Sequence, residues 1–193
     1  MSAIHEHVLQ NGMTLLCWPQ RHLHGLEFGL YLKGGPLYET EETQGISNLL
    51  EHLCFRGLGG LNREGLLREL NRFGTNLDAA TYAEGLVFRL KCLPRFFDAA
   101  LEYFLRFFAN VPWTPEQIAA EKQVVLRQLE ADGEGDLFDR AACDFRKTEN
   151  GAFPPLGTPE SLMALTEADI QLWQEMIFQP QNACLVMTGN FSD

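Results

Sequence analysis

The chain has 193 residues, 46% of them hydrophobic and 21% charged, a composition that suits one soluble globular domain, or one large half of a two-domain architecture, with a core of useful size. Its net charge of −11 argues against a basic face for a nucleic-acid backbone, and no apolar run reaches the roughly 18 residues of a membrane span, so neither partner is expected. The first residues lack the basic start and apolar stretch of a secretory signal, and the five scattered cysteines (Cys17, Cys54, Cys92, Cys143 and Cys184) form no Cys-x-x-Cys pair, which reads as reduced thiols in a cytoplasm.

Residues 6–18 read as a strand interrupted by a turn at Asn11-Gly12. Residues 25–33 alternate like a half-buried strand and end at Gly34-Gly35-Pro36. A helix is predicted from about Thr43 to Phe55, with Ile46, Leu49, Leu50 and Leu53 as its apolar stripe, followed by a loop over Gly57–Leu61. Asn62 is a plausible cap for a second helix that carries Leu66, Leu67 and Leu70 and stops at Gly74. Residues 76–92 read as two extended pieces, with Leu86, Phe88 and Leu90 on one face.

An aromatic-rich helix is expected from Pro94 to about Asn110. Its Phe97, Ala100, Leu101, Phe104 and Phe108 recur at helical spacing and read as packing against a sheet rather than as a ligand pocket. Trp113-Thr114-Pro115-Glu116-Gln117 opens a helix running to about Ala131, with Pro at its first position and Gln at its third. Gly133 and Gly135 break the pattern before a further helix from about Asp136 to Lys147. Thr166-Glu-Ala-Asp169 starts a last helix that ends before Pro180, and Ala183–Thr188 is a closing apolar strand. The order reads as α+β: a mostly antiparallel sheet of about six strands with helices packed on one face, in a single domain over residues 1–193.

One stretch carries chemistry. Asn48-Leu-Leu-Glu51-His52 has the layout of the inverted zinc-peptidase motif His-x-x-Glu-His, in which two histidines four residues apart hold a metal and the glutamate acts on its water. Glu51 and His52 are in place, but the first histidine position holds Asn48. Cys54, two residues beyond His52, lies on a different helical face and reads as structural. His5, His7, His22 and His24 come in alternating pairs that strands would bring to a common face, and they read as exposed residues rather than a metal site.

With these residues in hand, the chain resembles the pitrilysin/insulinase family of inverted zinc peptidases, which includes the mitochondrial processing peptidases. The likeness covers nearly the whole chain, in order. It rests on Leu9-x-Asn11-Gly12-Met13, on Gly45-Ile-Ser-Asn48-Leu-Leu-Glu51-His52-Leu-Cys-Phe-Arg-Gly57, and on Asp78-Ala79-Ala80-Thr81, where the family usually has Asn-Ala-x-Thr. It continues through Glu121-Lys-Gln-Val-Val-Leu-Arg-Gln128, Gly157-Thr158-Pro-Glu160-Ser161 with Thr166 and Asp169, Pro180-x-Asn182, and Leu185-Val-Met-Thr-Gly189-Asn-Phe.

The resemblance implies metal ligands at Asn48, His52 and Gln128, where the family has His, His and Glu. It also implies Glu51 as general base, Glu121 as a supporting residue of the metal site, and Asp78, Ala79, Ala80 and Thr81 as an edge strand that pairs with substrate. Two of the three ligand positions are therefore amides, which compete poorly with water for zinc. Glu130 lies about 200° around the helix from Gln128, and Glu121 about 10 Å back along its axis, so neither replaces the lost ligand. Gln128 is a second loss independent of Asn48, and natural degeneracy accounts for both.

Family peptidases close two homologous halves around a peptide, and this chain matches only the metal-bearing half. The expectation is a catalytically degenerate zinc-peptidase homologue, a non-catalytic binding or partner domain of a peptidase that processes peptides. It would work beside a homologous peptidase subunit or second half that encloses the peptide substrate with it. No cofactor is expected, with zinc only where the site is functional. The alternative is a zinc metalloendopeptidase whose variant site is completed by a partner half.

Overall fold

The computed structural model describes residues 4–109, 112–131 and 153–191. Among them, eight strands and six α-helices follow one another in the order β1 (His5–Val8), β2 (Thr14–Pro19), β3 (Leu26–Lys33), α1 (Ile46–Cys54), β4 (Gly57–Leu58), β5 (Leu61–Asn62), α2 (Arg63–Phe73), β6 (Leu77–Tyr82) and β7 (Gly85–Cys92), then α3 (Phe97–Leu105), α4 (Pro115–Ala131), α5 (Pro159–Ala164), α6 (Glu167–Ile177) and β8 (Ala183–Gly189). Six strands form one sheet in the order β1-β2-β8-β3-β7-β6. Every neighbouring pair is antiparallel except β2 and β8. The α+β architecture and the mostly antiparallel six-stranded sheet match the sequence reading; the helix expected over 136–147 lies outside the described residues.

Alternation along the strands decides which face is covered. Phe28, Leu30 and Leu32 of β3 stand opposite Leu90, Phe88 and Leu86 of β7, and all six are buried. Leu185 and Met187 extend this layer onto β8, and Leu15 and Cys17 pack against it from β2. The helices complete the core from the same side: Ala100, Phe104 and Phe107 of the α3 region meet Phe28 and Phe88, with ring centroids 5.8 Å apart for Phe28–Phe104 and 4.4 Å for Phe88–Phe107. The opposite face shows Trp18, Tyr31 and Tyr82 to solvent. The aromatic stripe is thus core, as its spacing suggests.

Local chemistry sets most helix ends. Asn62 accepts from the Gly65 N–H at 2.9 Å to start α2, and Gly74 closes it. Thr114 and Gln117 cap each other reciprocally at the start of α4, and Thr166 and Asp169 do so at α6. Three elements depart from the expectations. Gly57–Leu61, read as a loop, is a miniature hairpin of β4 and β5, because Gly59 and Gly60 take positive φ values (54° and 81°) that suit a tight two-residue turn. The helix expected from Pro94 begins and ends as short 3-10 turns around α3. Helix α5, which was not foreseen, is only six residues long; its Thr158–Ser161 capping box holds it, and Lys122 of α4 donates to the Leu165 carbonyl just beyond its end.

Helix α1 carries Asn48, Glu51 and His52. Residues 46–50 are all buried, so the N–H groups that open the helix have no water to turn to. Glu39, itself buried, supplies the partner: its carboxylate accepts from the Gly45 N–H at 2.8 Å and the Ser47 N–H at 3.0 Å. Trp173 of α6 donates to Ser47 Oγ at 3.1 Å. The chain before α1 crosses the chain before α5 at Gly45 and Gly157; a Cβ on either would come within 2.6 Å of a backbone oxygen of the other segment, and both have positive φ. Ser161 Oγ then bonds the Gln44 carbonyl at 2.9 Å.

Glu39→Ala is expected to lower stability by about 2–3 kcal/mol in urea denaturation, because it leaves two buried donors without a partner. Burial holds the Glu39 carboxyl above its ordinary value, against the opposing pull of its bonds to Gly45 and Ser47. The folded state therefore binds this proton more tightly than the unfolded chain. Its contribution is greatest below the unfolded value and declines as pH rises through the folded one. Glu39→Gln removes that decline, so its cost, measured at pH 4.5 and pH 7, should be smaller at pH 7.

Candidate functional site

Three side chains named from the sequence come from α1. At 100° per residue Glu51 and His52 cannot face the same neighbour, and they do not. Glu51 turns to the sheet, where its Oε2 accepts from Thr81 Oγ1 of β6 at 2.5 Å. Thr81 stands opposite Leu86 on the helix-covered face, which brings its hydroxyl to α1. His52 turns to α4, with Nδ1 3.3 Å from Glu121 Oε2. The other oxygen of Glu121 takes the Arg56 Nε–H, one helical turn beyond His52. Glu121 is buried, and its two oxygens serve His52 and Arg56.

Burial is the main cause that raises the Glu51 carboxyl above its ordinary range; the Thr81 bond and the nearby His52 pull it down, and Asp78 pushes it up. With Nδ1 facing a carboxylate, a neutral His52 keeps its proton on that nitrogen and its lone pair on Nε2, the arrangement found where a carboxylate orients a metal-binding histidine. Asn48 is buried, and its Oδ1 has no hydrogen-bond partner. Gln128 lies two turns beyond Glu121 and continues the stripe of Ile118, Glu121 and Val125, but its side chain is exposed. Glu130 is exposed as well. Among the described residues no group of three or more His, Cys, Asp or Glu side chains is arranged to hold an ion.

Cys54 is fully buried, and burial, with Glu51 nearby, pushes its thiol well up, which fits a structural residue and not a nucleophile. His5 and His7 lie on the exposed strand β1, whereas His22 and His24 lie in the turn after β2, so the four do not share a strand face. Asp78, Ala79, Ala80 and Thr81 lie on β6, at the edge of the sheet, with β7 on one side and no strand on the other among the described residues. The structure thus joins Glu51 to Thr81 and His52 to Glu121. The sequence reading missed Arg56 as the second partner of Glu121, 65 residues away, and Glu39 as the anchor of α1, whose contacts six and eight residues on match no capping pattern.

The family described as Insulinase (Peptidase family M16) matches residues 24–147. A protein of Rickettsia felis described as an uncharacterized zinc protease is 26% identical over 185 residues, which cover 94% of this chain and 45% of that protein. The crystal structure of a protease from Helicobacter pylori superposes with a TM-score of 0.89 at 21% identity, over 100% of this chain and 47% of that one. The crystal structure of a peptidase M16 inactive domain from Pseudomonas fluorescens superposes with a TM-score of 0.85 at 16% identity, over 98% and 47%. The chain therefore spans about half the length of the relatives it matches, and the structural likenesses fix the fold alone.

Breaking the Arg56–Glu121 pair on one side only leaves a buried charge poorly matched. Arg56→Met should cost about 2–3 kcal/mol, discounted from a fully buried pair because Arg56 is 29% exposed. Adding Glu121→Leu should recover part of that loss, and a double-mutant cycle in urea measures the coupling.

Proposed function

The chain belongs to the insulinase family, peptidase family M16, and on that premise we propose that it is a catalytically degenerate half domain that binds peptide beside an active homologous half. The donor set carries this reading. At the three ligand positions, taken as Asn48, His52 and Gln128, the family's two imidazoles and one carboxylate are reduced to one imidazole and two neutral amides. Zinc prefers imidazole, thiolate and carboxylate, and a hard neutral amide oxygen competes poorly with water for it. Asn48 is buried, Gln128 is exposed, and neither amide brings charge to a cation, so the residues present do not fit a resident zinc. Glu51 then acts as a tie to β6 and not as a general base.

What remains useful is the edge. A strand with an unpaired outer side offers main-chain donors and acceptors to an extended peptide, and Asp78, Ala79, Ala80 and Thr81 would line that addition. A homologous subunit or second half would close over the bound segment, in keeping with a chain that spans about half the length of its relatives. Reduced cysteines suit a cytoplasmic setting. One observation favours the alternative, a zinc endopeptidase completed by a partner half: the His52–Glu121 contact keeps the carboxylate support that a metal-binding histidine uses.

Metal analysis separates the two readings. The purified, dialysed chain is expected to carry substoichiometric zinc and to leave a quenched-fluorescent peptide uncut. Asn48→His combined with Gln128→Glu should bind zinc stoichiometrically and gain a zinc-dependent rise in melting temperature. Stoichiometric zinc in the unaltered protein, with chelator-sensitive cleavage, would establish the endopeptidase instead.

A further inference from the structure

Where β3 begins and β7 and β8 end, an open groove of about 800 Å³ lies between this end of the sheet and the chain leaving α2. Three cations line it, Arg72 from the last turn of α2, Lys91 from β7 and Arg95 from the short turn before α3, against one carboxylate, Glu27. That balance is opposite in sign to the chain as a whole, whose net charge is −11. Lys91 stands 3.7 Å from Glu27 and Arg72 3.2 Å from Glu69. Both cations are well exposed, so these pairs are weak and open to exchange for another carboxylate. Arg95 forms no ion pair among the described residues; its guanidinium lies 4.8 Å from the centroid of the Phe96 ring, which packs 5.9 Å from Phe73. A guanidinium resting on a ring keeps its N–H edge for an incoming carboxylate. Leu23 and Leu93, 43% and 44% exposed, add apolar surface to the same groove.

The way α2 ends narrows the ligand. The N–H groups of Gly74 and Thr75 turn back onto the Asn71 and Leu70 carbonyls, so the helix presents its carbonyl end here and this turn offers no backbone N–H to an oxyanion. A compact phosphate is held by backbone N–H groups that converge on one point. In the groove the positive charge sits instead on side chains of three separate elements, with exposed leucines among them. That layout matches separate carboxylates along a chain, interleaved with apolar side chains. We infer that this groove docks an acidic, apolar-bearing segment of a partner protein. It shares no residue with β6 or with the cluster of Glu51, His52 and Glu121, so the inference stands apart from the reading of the sheet edge and of the metal positions.

The test uses the full chain and short labelled peptides that alternate leucine with glutamate, with glutamine or with lysine, binding being read by fluorescence anisotropy. The glutamate peptide should bind roughly tenfold more tightly than the glutamine peptide, as a few exposed ion pairs allow, and should lose most of that margin when salt is raised. Lys91→Glu with Arg95→Glu should abolish the preference for glutamate and transfer it to the lysine peptide. Lys33→Glu with Arg68→Glu makes the same change in net charge on exposed residues outside the groove, and should leave the affinity for the glutamate peptide unchanged. No binding, equal affinities for the glutamate and glutamine peptides, or an equal loss in the two double variants would overturn the docking site. Displacement of the glutamate peptide by inorganic phosphate at matched ionic strength would overturn the peptide assignment in favour of a phosphate site.

Discussion

Helix α1 begins inside the protein, and that single constraint organises the rest. The opening N–H groups of a helix have no partners within it, and burying them unpaired would cost more than the helix gains by packing. Glu39 resolves the problem from the segment just before the helix, and the Gly45–Gly157 crossing lets the chain approach closely enough for it to do so. Once the start is pinned there and Trp173 holds Ser47, neither the depth of α1 nor its rotation is free. Leu49, Leu50 and Leu53 are then fully buried in the core.

A fixed rotation assigns each later residue its neighbour. Glu51 meets β6 through Thr81, and His52 meets α4 through Glu121, so residues 51, 81 and 121 are gathered from three separate elements. Arg56 completes the set by matching the charge of the buried Glu121. None of these contacts depends on the chemistry at Asn48 or Gln128. The carboxylate at 121 is satisfied by protein groups, and Glu51 is satisfied by a hydroxyl, so the geometry around the motif is self-supporting. Amides at Asn48 and Gln128 therefore leave the contacts around Glu51 and His52 undisturbed.

What could be read in advance was local. The ends of α2, α4 and α6 are written in caps that span three residues, and the strands β3 and β7 in alternation that spans eight, so both were legible. Glu121 and Gln128 were named only through the resemblance to the family, whereas the layout of Asn48, Glu51 and His52 on α1 was legible because helical periodicity maps spacing onto direction. Helix α5 was not, since six residues give no apolar period, and its stability comes from a capping box and from Ser161 bonding a carbonyl 117 positions earlier. Arg56 was not, because its partner lies 65 residues away, and Glu39 was not, because a charged residue carries no mark in sequence of being buried even when its partners are six and eight residues on.

The free edge poses a separate physical question. Proteins guard exposed strands with charge, proline, bulges or a covering element, because an unpaired ladder recruits other chains. Over Leu77–Tyr82, β6 has one charge, Asp78, and no proline. Its central side chains, Ala79 and Ala80, are too small to discriminate among incoming residues by shape. Main-chain bonds along such an edge accept nearly any extended segment, so they supply affinity without selectivity. Selectivity must then come from the ends of the strand, where the incoming chain leaves the ladder and meets side chains again. On the proposed reading, the small side chains of the edge would make peptide binding permissive, with selection left to the ends of the strand.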